Sequence, residues 1–145
     1  MKGYYNKPEE TAKALDKDGW LYTVDLGSVD ENGYFFFKGR IKDMLRVGGE
    51  NVSAEEVENY LLMHPKVLQA ALVGIPDPIK VEVPMAFVQL KEGETCTEEE
   101  IINFCKGKIA NFKVPRYVQF VKSFEMTGSE KIQKFKLKEI AGKRQ

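Results

Sequence analysis

Residues 39–52 of this 145-residue chain read Gly39-Arg40-Ile41-Lys42-Asp43-Met44-Leu45-Arg46-Val47-Gly48-Gly49-Glu50-Asn51-Val52. A charged stretch runs into the apolar residues Met44 to Val47, and the glycine pair that follows forms a turn, with Asn51-Val52 leading away from it. Glycine lacks a Cβ, so such a turn adopts left-handed backbone and lets a ligand approach the main chain closely. Taken alone, the stretch is equally a solvated connector with a glycine turn.

Upstream, Pro8 beside Glu9 and Glu10 starts a short helix with acids near the positive end of its dipole, and Asp18-Gly19 ends it. Trp20 to Val29 reads as a strand that returns through Asp30-Glu31-Asn32-Gly33 into Tyr34 to Lys38, a β-hairpin. Downstream, Ser53 with Glu56 forms a capping box ahead of Val57, Tyr60 and Leu61, and His64-Pro65 stops that helix. Val67 to Ile75 and Val83 to Leu90 are β-branched, apolar runs separated by the turn-forming Pro76-Asp77-Pro78. A second capping box, Thr97 with Glu100, opens an amphipathic helix through Ile101, Phe104, Cys105 and Ile109. Tyr117 to Phe124 is a further strand. Lys131 to Ile140 is expected to form a last helix with Lys131, Lys134 and Lys138 on one face. Strands and helices mix without strict alternation, which gives an α+β fold.

The length allows one ordinary core with an appended piece, which is small for a self-sufficient two-substrate enzyme. Basic and acidic residues balance at 22 each, so no long-range attraction to nucleic acid or to an anionic membrane is built in. The exception is local. From Lys131 to Arg144, six basic residues (Lys131, Lys134, Lys136, Lys138, Lys143, Arg144) face the single acid Glu139. No clustered aromatics accompany that stripe, which argues against a nucleic-acid binder. Cys96 and Cys105 lack metal-ligand spacing and are too few for a disulfide framework, so two free thiols, a cytoplasmic location and no metal site are expected. No apolar signal core follows Met1, and no run is long enough for a transmembrane segment.

Three segments carry chemistry. In Tyr22-Thr23-Val24-Asp25 an acid follows a strand closely enough to accept hydrogen bonds from a sugar diol, although an Asp there is more commonly a turn former. The second segment is residues 39–52. In the third, Thr127-Gly128-Ser129-Glu130-Lys131-Ile132-Gln133-Lys134-Phe135-Lys136-Leu137, a lysine at a loop-to-helix junction can be delivered to a phosphate as a point charge; basic helix faces are otherwise usually just solvated.

In this order and at these separations, the three segments resemble the C-terminal signature of acyl-CoA synthetases in the adenylate-forming (AMP-binding) superfamily. The likeness extends through Lys2-Gly3-Tyr4-Tyr5-Asn6-Lys7-Pro8-Glu9-Glu10-Thr11, Asp18-Gly19-Trp20-Leu21-Tyr22-Thr23, His64-Pro65-Lys66-Val67 and Phe112-Lys113-Val114-Pro115-Arg116. It implies that residues 1–41, a helix and a hairpin, are the end of a large AMP-binding domain and residues 42–145 a small mobile C-terminal domain. It further implies that Asp25 binds the ATP ribose hydroxyls, Arg40 holds the nucleotide, Lys42 is the hinge and Lys131 the catalytic lysine. Gly48, Gly49 and Glu50 would line the channel for CoA. The implied reaction joins a carboxylic acid to AMP, then passes the acyl group to CoA. ATP/AMP and CoA are substrates, and Mg2+ is expected with the large domain.

Three positions depart from the family pattern, each replacing glycine: Val24, Val81 and Glu130. Should those glycines need positive φ, a β-branched valine is strained there. Glu130 also sets a carboxylate beside Lys131. The family's phosphate loop and acyl pocket belong to the large domain, so this chain alone is not expected to adenylate anything. The competing expectation is a degenerate, non-catalytic module that binds a nucleotide, CoA or a protein partner.

Overall fold

The computed structural model describes residues 1–142, so Lys143 and Arg144 of the basic stretch lie outside the described residues. The chain divides into two compact units, Met1–Lys42 and a second from Asp43 onward.

In the first unit, helix α1 (Pro8–Ala14) buries no residue. A single bridge, Leu15 to Leu21, closes the loop behind it. Strands β1 (Asp25–Val29) and β2 (Phe35–Arg40) pair antiparallel, with Asp25 opposite Arg40 and Val29 opposite Phe35. Asp30 makes the turn by accepting the N–H groups of Asn32 and Tyr34, each at 2.9 Å, and Gly33 takes the left-handed position at φ 84°. The expected strand from Trp20 is shorter than its apolar pattern. Val24 stands at φ 63°, outside extended geometry, so the strand begins only at Asp25. A bulge between Leu26 and Gly27 shifts the register. Gly27 permits it, since a Cβ there would collide with the Phe35 ring.

The second unit is a five-stranded sheet in the order β4-β3-β6-β5, with β7 also on β6. Its strands are β3 (Met44–Val47), β4 (Glu50–Ser53), β5 (Val67–Asp77), β6 (Val81–Leu90) and β7 (Tyr117–Phe120). All pairs are antiparallel except β6 with β7. Helices α2 (Ala54–Leu62), α3 (Glu98–Cys105) and α4 (Lys134–Gly142) cover it. Side-chain alternation decides which helix meets which face. Ala70 and Leu72 of β5 with Ala86 and Val88 of β6 pack against Val57 and Leu61 of α2 and Ile101 and Cys105 of α3. Their neighbours Ala71, Val73, Met85 and Phe87 point the other way, onto Leu137 and Ala141 of α4. Both faces of β5 and β6 are therefore buried, which is why those strands read as continuous apolar runs rather than alternating ones.

Both capping boxes form. Ser53 Oγ accepts from Glu56 N at 3.4 Å, and Thr97 Oγ1 from Glu100 N at 3.2 Å. Several element ends differ from the sequence pattern: α1 already stops at Ala14, and β5 and β6 run into the expected Pro76-Asp77-Pro78 turn, to Asp77 and from Val81. Helix α3 stops at Cys105, because Lys106 is already extended. Strand β7 ends at Phe120. The last helix begins at Lys134 rather than Lys131, because residues 126–132 fold back on themselves through a bridge between Met126 and Ile132. Lys131 therefore lies ahead of the helix and does not share a helical face with Lys134 and Lys138.

Candidate nucleotide and coenzyme site

Asp25 and Arg40 come together because the β1–β2 register makes them direct partners. Arg40 Nε lies 3.3 Å from Asp25 Oδ1. That contact is an ion pair without hydrogen-bond alignment, and the buried Oδ1 is left with no hydrogen-bond donor. A buried carboxylate oxygen without a donor is a standing acceptor for hydroxyl groups. The pair lies on an open cavity of about 590 Å³ lined also by Tyr4, Lys13, Tyr22 and Thr23, all within the first unit. Lys42, in the 3-10 turn Ile41–Asp43, is that unit's last residue.

In the second unit Gly48 and Gly49 form the two-residue turn of the β3–β4 hairpin, with Val47 opposite Glu50. Their φ values of 59° and 91° are those of a tight hairpin turn that only glycine enters without cost. Neither glycine faces any atom where a Cβ would stand, so the turn presents bare backbone to open space. Gly48 N–H donates to Lys80 O at 2.8 Å, fixing the turn to the start of β6. There Val81, opposite Val47, stands at φ 68°.

Beside this turn is a groove that the sequence reading did not single out. It measures about 430 Å³, with Val47, Ile102 and Phe112 on its floor and the cations Lys80, Lys106 and Arg116 around it. Arg116 is engaged by Asp77 at 3.4 Å. Asp77 is itself held below the ordinary carboxylate range, first by the backbone N–H of Lys80, then by that of Ile79, with Arg116 adding to it. Among the described residues Lys80 and Lys106 have no ion-pair partner. The groove's sequence signal was the Phe112-Lys113-Val114-Pro115-Arg116 stretch, but Lys80 and Lys106 are too far along the chain to be associated with it by spacing.

Lys131 is exposed in the turn before α4. Its backbone N–H donates to Thr127 Oγ1 at 3.1 Å, and its carbonyl accepts from Thr127 N at 2.7 Å. Glu130 takes φ 57° to close the turn. No ion pair joins Glu130 to Lys131, so the ammonium is free of the neighbouring carboxylate. Lys134 is engaged differently, 2.7 Å from Glu58 of α2. Thus the structure joins Asp25 to Arg40, and sets Gly48, Gly49 and Glu50 beside the cationic groove. Lys131 occupies a loop of its own.

Residues 56–131 match the family model described as "AMP-binding enzyme C-terminal domain". The chain belongs to that family. It is 49% identical over 139 residues to a putative acyl-CoA synthetase of Bacillus subtilis, covering 96% of this chain and 25% of that protein. The human mitochondrial medium-chain acyl-CoA ligase is 45% identical, again over 96% of this chain and 23% of its own length. Among solved structures, an anthranilate CoA ligase in complex with anthranoyl-AMP superimposes with a TM-score of 0.86 at 37% identity, covering 98% of this chain and 28% of that one. The amide bond synthetase McbA of Marinactinospora thermotolerans gives the same TM-score at 36% identity, over 98% of this chain and 28% of its own. The chain spans about a quarter of the length of the curated relatives it matches. Among the described residues no helix is long and apolar enough to cross a membrane.

Proposed function

We propose that this chain is the C-terminal part of an acyl-CoA synthetase, which activates a carboxylic acid with ATP and transfers the acyl group to CoA, and that it is inactive alone. The observation that carries the proposal is the Asp25–Arg40 pair, a carboxylate oxygen without a donor beside a guanidinium, on a cavity in a chain covered almost end to end by acyl-CoA ligases. Asp25 accepts the ribose hydroxyls, and Arg40 holds the nucleotide. In the first half-reaction the substrate carboxylate oxygen attacks the α-phosphorus and pyrophosphate leaves. Lys131, on an exposed turn and with no ion-pair partner among the described residues, neutralises the charge that builds on the phosphate. In the second, the CoA sulfur attacks the acyl carbon and AMP leaves. The bare Gly48-Gly49 backbone, with Glu50, then lies along the pantetheine, and Lys80, Lys106 and Arg116 serve the coenzyme's phosphates.

Residues 1–41 belong to the large AMP-binding domain in this reading, and residues 42–145 form the mobile domain, with Lys42 as the hinge. One lysine on a moving domain reaches phosphate in only one orientation, which separates the two half-reactions. Mg2+ goes with the large domain in this reading. No step is assigned to it. A cytoplasmic location goes with the two free thiols, Cys96 and Cys105.

The test is a chimera in which this chain replaces the matching segment of a characterised acyl-CoA ligase. Acid-dependent ATP–pyrophosphate exchange is expected, and Lys131→Ala should lower it about 100- to 1000-fold. Thioester formation from a supplied acyl-adenylate should survive. Equal loss of both half-reactions would sink the two-orientation mechanism.

A second reading, a degenerate module without catalysis, is favoured by one observation. Val24, Val81 and Glu130 all take left-handed backbone, each against a segment the mechanism needs. A chimera that is silent as it stands but active with Val24→Gly, Val81→Gly and Glu130→Gly decides for this second reading.

A further inference from the structure

Away from the segments above, the fold brings together three side chains of metal-ligating type from two stretches that are distant in sequence. His64 follows the end of α2, and Cys96 and Glu100 flank Thr97, the N-cap of α3. A ring nitrogen of His64, the Cys96 sulfur and a Glu100 carboxylate oxygen all lie within 4.8 Å of one another. His64 is 5% exposed and is the one polar side chain counted with the buried core among the described residues. Its ring stands edge-on to Phe104, with centroids 4.8 Å apart at 82°, so its orientation is set by packing. The N–H of Lys66 donates to Nδ1 at 3.3 Å, a long contact that marks Nδ1 as the atom carrying the lone pair.

A cation already serves part of this cluster. Lys66 Nζ lies 2.8 Å from Glu100 Oε1 and 3.0 Å from the Thr95 carbonyl oxygen. An ammonium satisfies the carboxylate, but it is a hard point charge and a poor match for an imidazole lone pair and a sulfur. A borderline-soft divalent ion suits all three donors. Burial, followed by the hydrogen bond to Glu100, pushes the Cys96 thiol up, so without a metal the sulfur keeps its proton.

We propose that His64, Cys96 and Glu100 form a binding site for a zinc-type divalent metal ion, clasping the end of α2 to the start of α3. Three protein ligands leave a fourth, open position for water. When the ion binds, the Cys96 S–H bond breaks and its proton passes to solvent, while the sulfur lone pair enters the metal bond with no change in oxidation state. Lys66 Nζ releases Glu100 and keeps the Thr95 carbonyl, while the Lys66 N–H gives up the Nδ1 lone pair to the ion.

The site is independent of the adenylation chemistry, and the whole 145-residue chain suffices to test it. Titration with Co2+ should produce a thiolate-to-cobalt charge-transfer band at one equivalent, which Zn2+ then bleaches. Cys96→Ser, at a half-buried position, should abolish the band and weaken Zn2+ binding by about tenfold or more. Lys66→Met removes the competing cation and should tighten binding. A purely structural polar cluster would show neither effect. Absence of one-equivalent binding, a band that survives Cys96→Ser, or weaker binding in Lys66→Met would each overturn the proposal, with near-ultraviolet circular dichroism confirming that each variant is folded.

Discussion

Val24, Val81 and Glu130 stand at φ 63°, 68° and 57°, where a side chain collides with its own backbone. An L-residue other than glycine costs about 1–2 kcal/mol there, and valine's branched Cβ makes it the worse case. Val81→Gly should therefore stabilise the second unit. The gain is about 1 kcal/mol after the extra chain entropy that glycine loses on folding, read as a higher urea midpoint at unchanged slope. A lower midpoint would show that the valine side chain contributes more than its backbone costs. Cys105 gives a prediction in pH. It is fully buried against α2 and β7, and burial alone pushes its thiol from 9.0 up to about 11. A folded value above the unfolded one contributes stability in full below about pH 9, which is lost as pH rises towards 11. Alkaline unfolding should begin in that window and move upward in Cys105→Ala, which carries no titrating group.

Strand β5 is the outer strand of the sheet, so its outward N–H groups need partners from elsewhere. Leu72 N–H finds one in Glu58 of α2, at 2.6 Å, and the same carboxylate oxygen receives Lys134 of α4 at 2.7 Å. One acid thus ties a sheet edge to helices that pack on opposite faces. Glu58→Ala leaves a part-buried donor and an unpaired ammonium, and should destabilise the second unit by about 1–3 kcal/mol in chemical denaturation. Glu58→Gln keeps an acceptor for Leu72 and should cost less. If both variants cost the same, the ion pair rather than the edge hydrogen bond dominates. Thr97→Ala, which removes the cap of α3, should cost about 1 kcal/mol by the same measurement.

At the scale of the whole chain, the two units differ in what they bury. Trp20, Val29, Tyr34, Phe35, Phe36 and Phe37 in the first unit are all exposed, Trp20 by 74%. In the proposed reading this apolar surface is the part that the rest of the large domain covers. The second unit has a core on each face of its sheet. Limited trypsin digestion should therefore cut first at Lys38, Arg40 or Lys42 and leave a resistant product beginning near Asp43. One equally protected unit from Gly3 to Ile140 would overturn this division.

The sequence by itself determined what depends on local chemistry. Ser53 and Thr97 marked two helix starts through their hydroxyls, Asn32-Gly33 and Gly48-Gly49 marked two hairpins through positive φ, and the mixed α+β class followed from the order of periodic segments. The three segments that hold Asp25, Arg40 and Lys131 stood out because their order and spacing along the chain resemble those of a family. Tertiary structure decided what depends on register and on residues remote in sequence. Only the β1–β2 pairing shows that Asp25 and Arg40 touch, and only the fold gathers Lys80, Lys106 and Arg116 around one groove, or His64 with Cys96 and Glu100. The start of α4 was misplaced for a different, local reason. Lys131 to Leu137 carries a helical spacing of charges, but Thr127 captures the Lys131 backbone in a turn, and the short-range bridge from Met126 to Ile132 outweighs a weak helical preference.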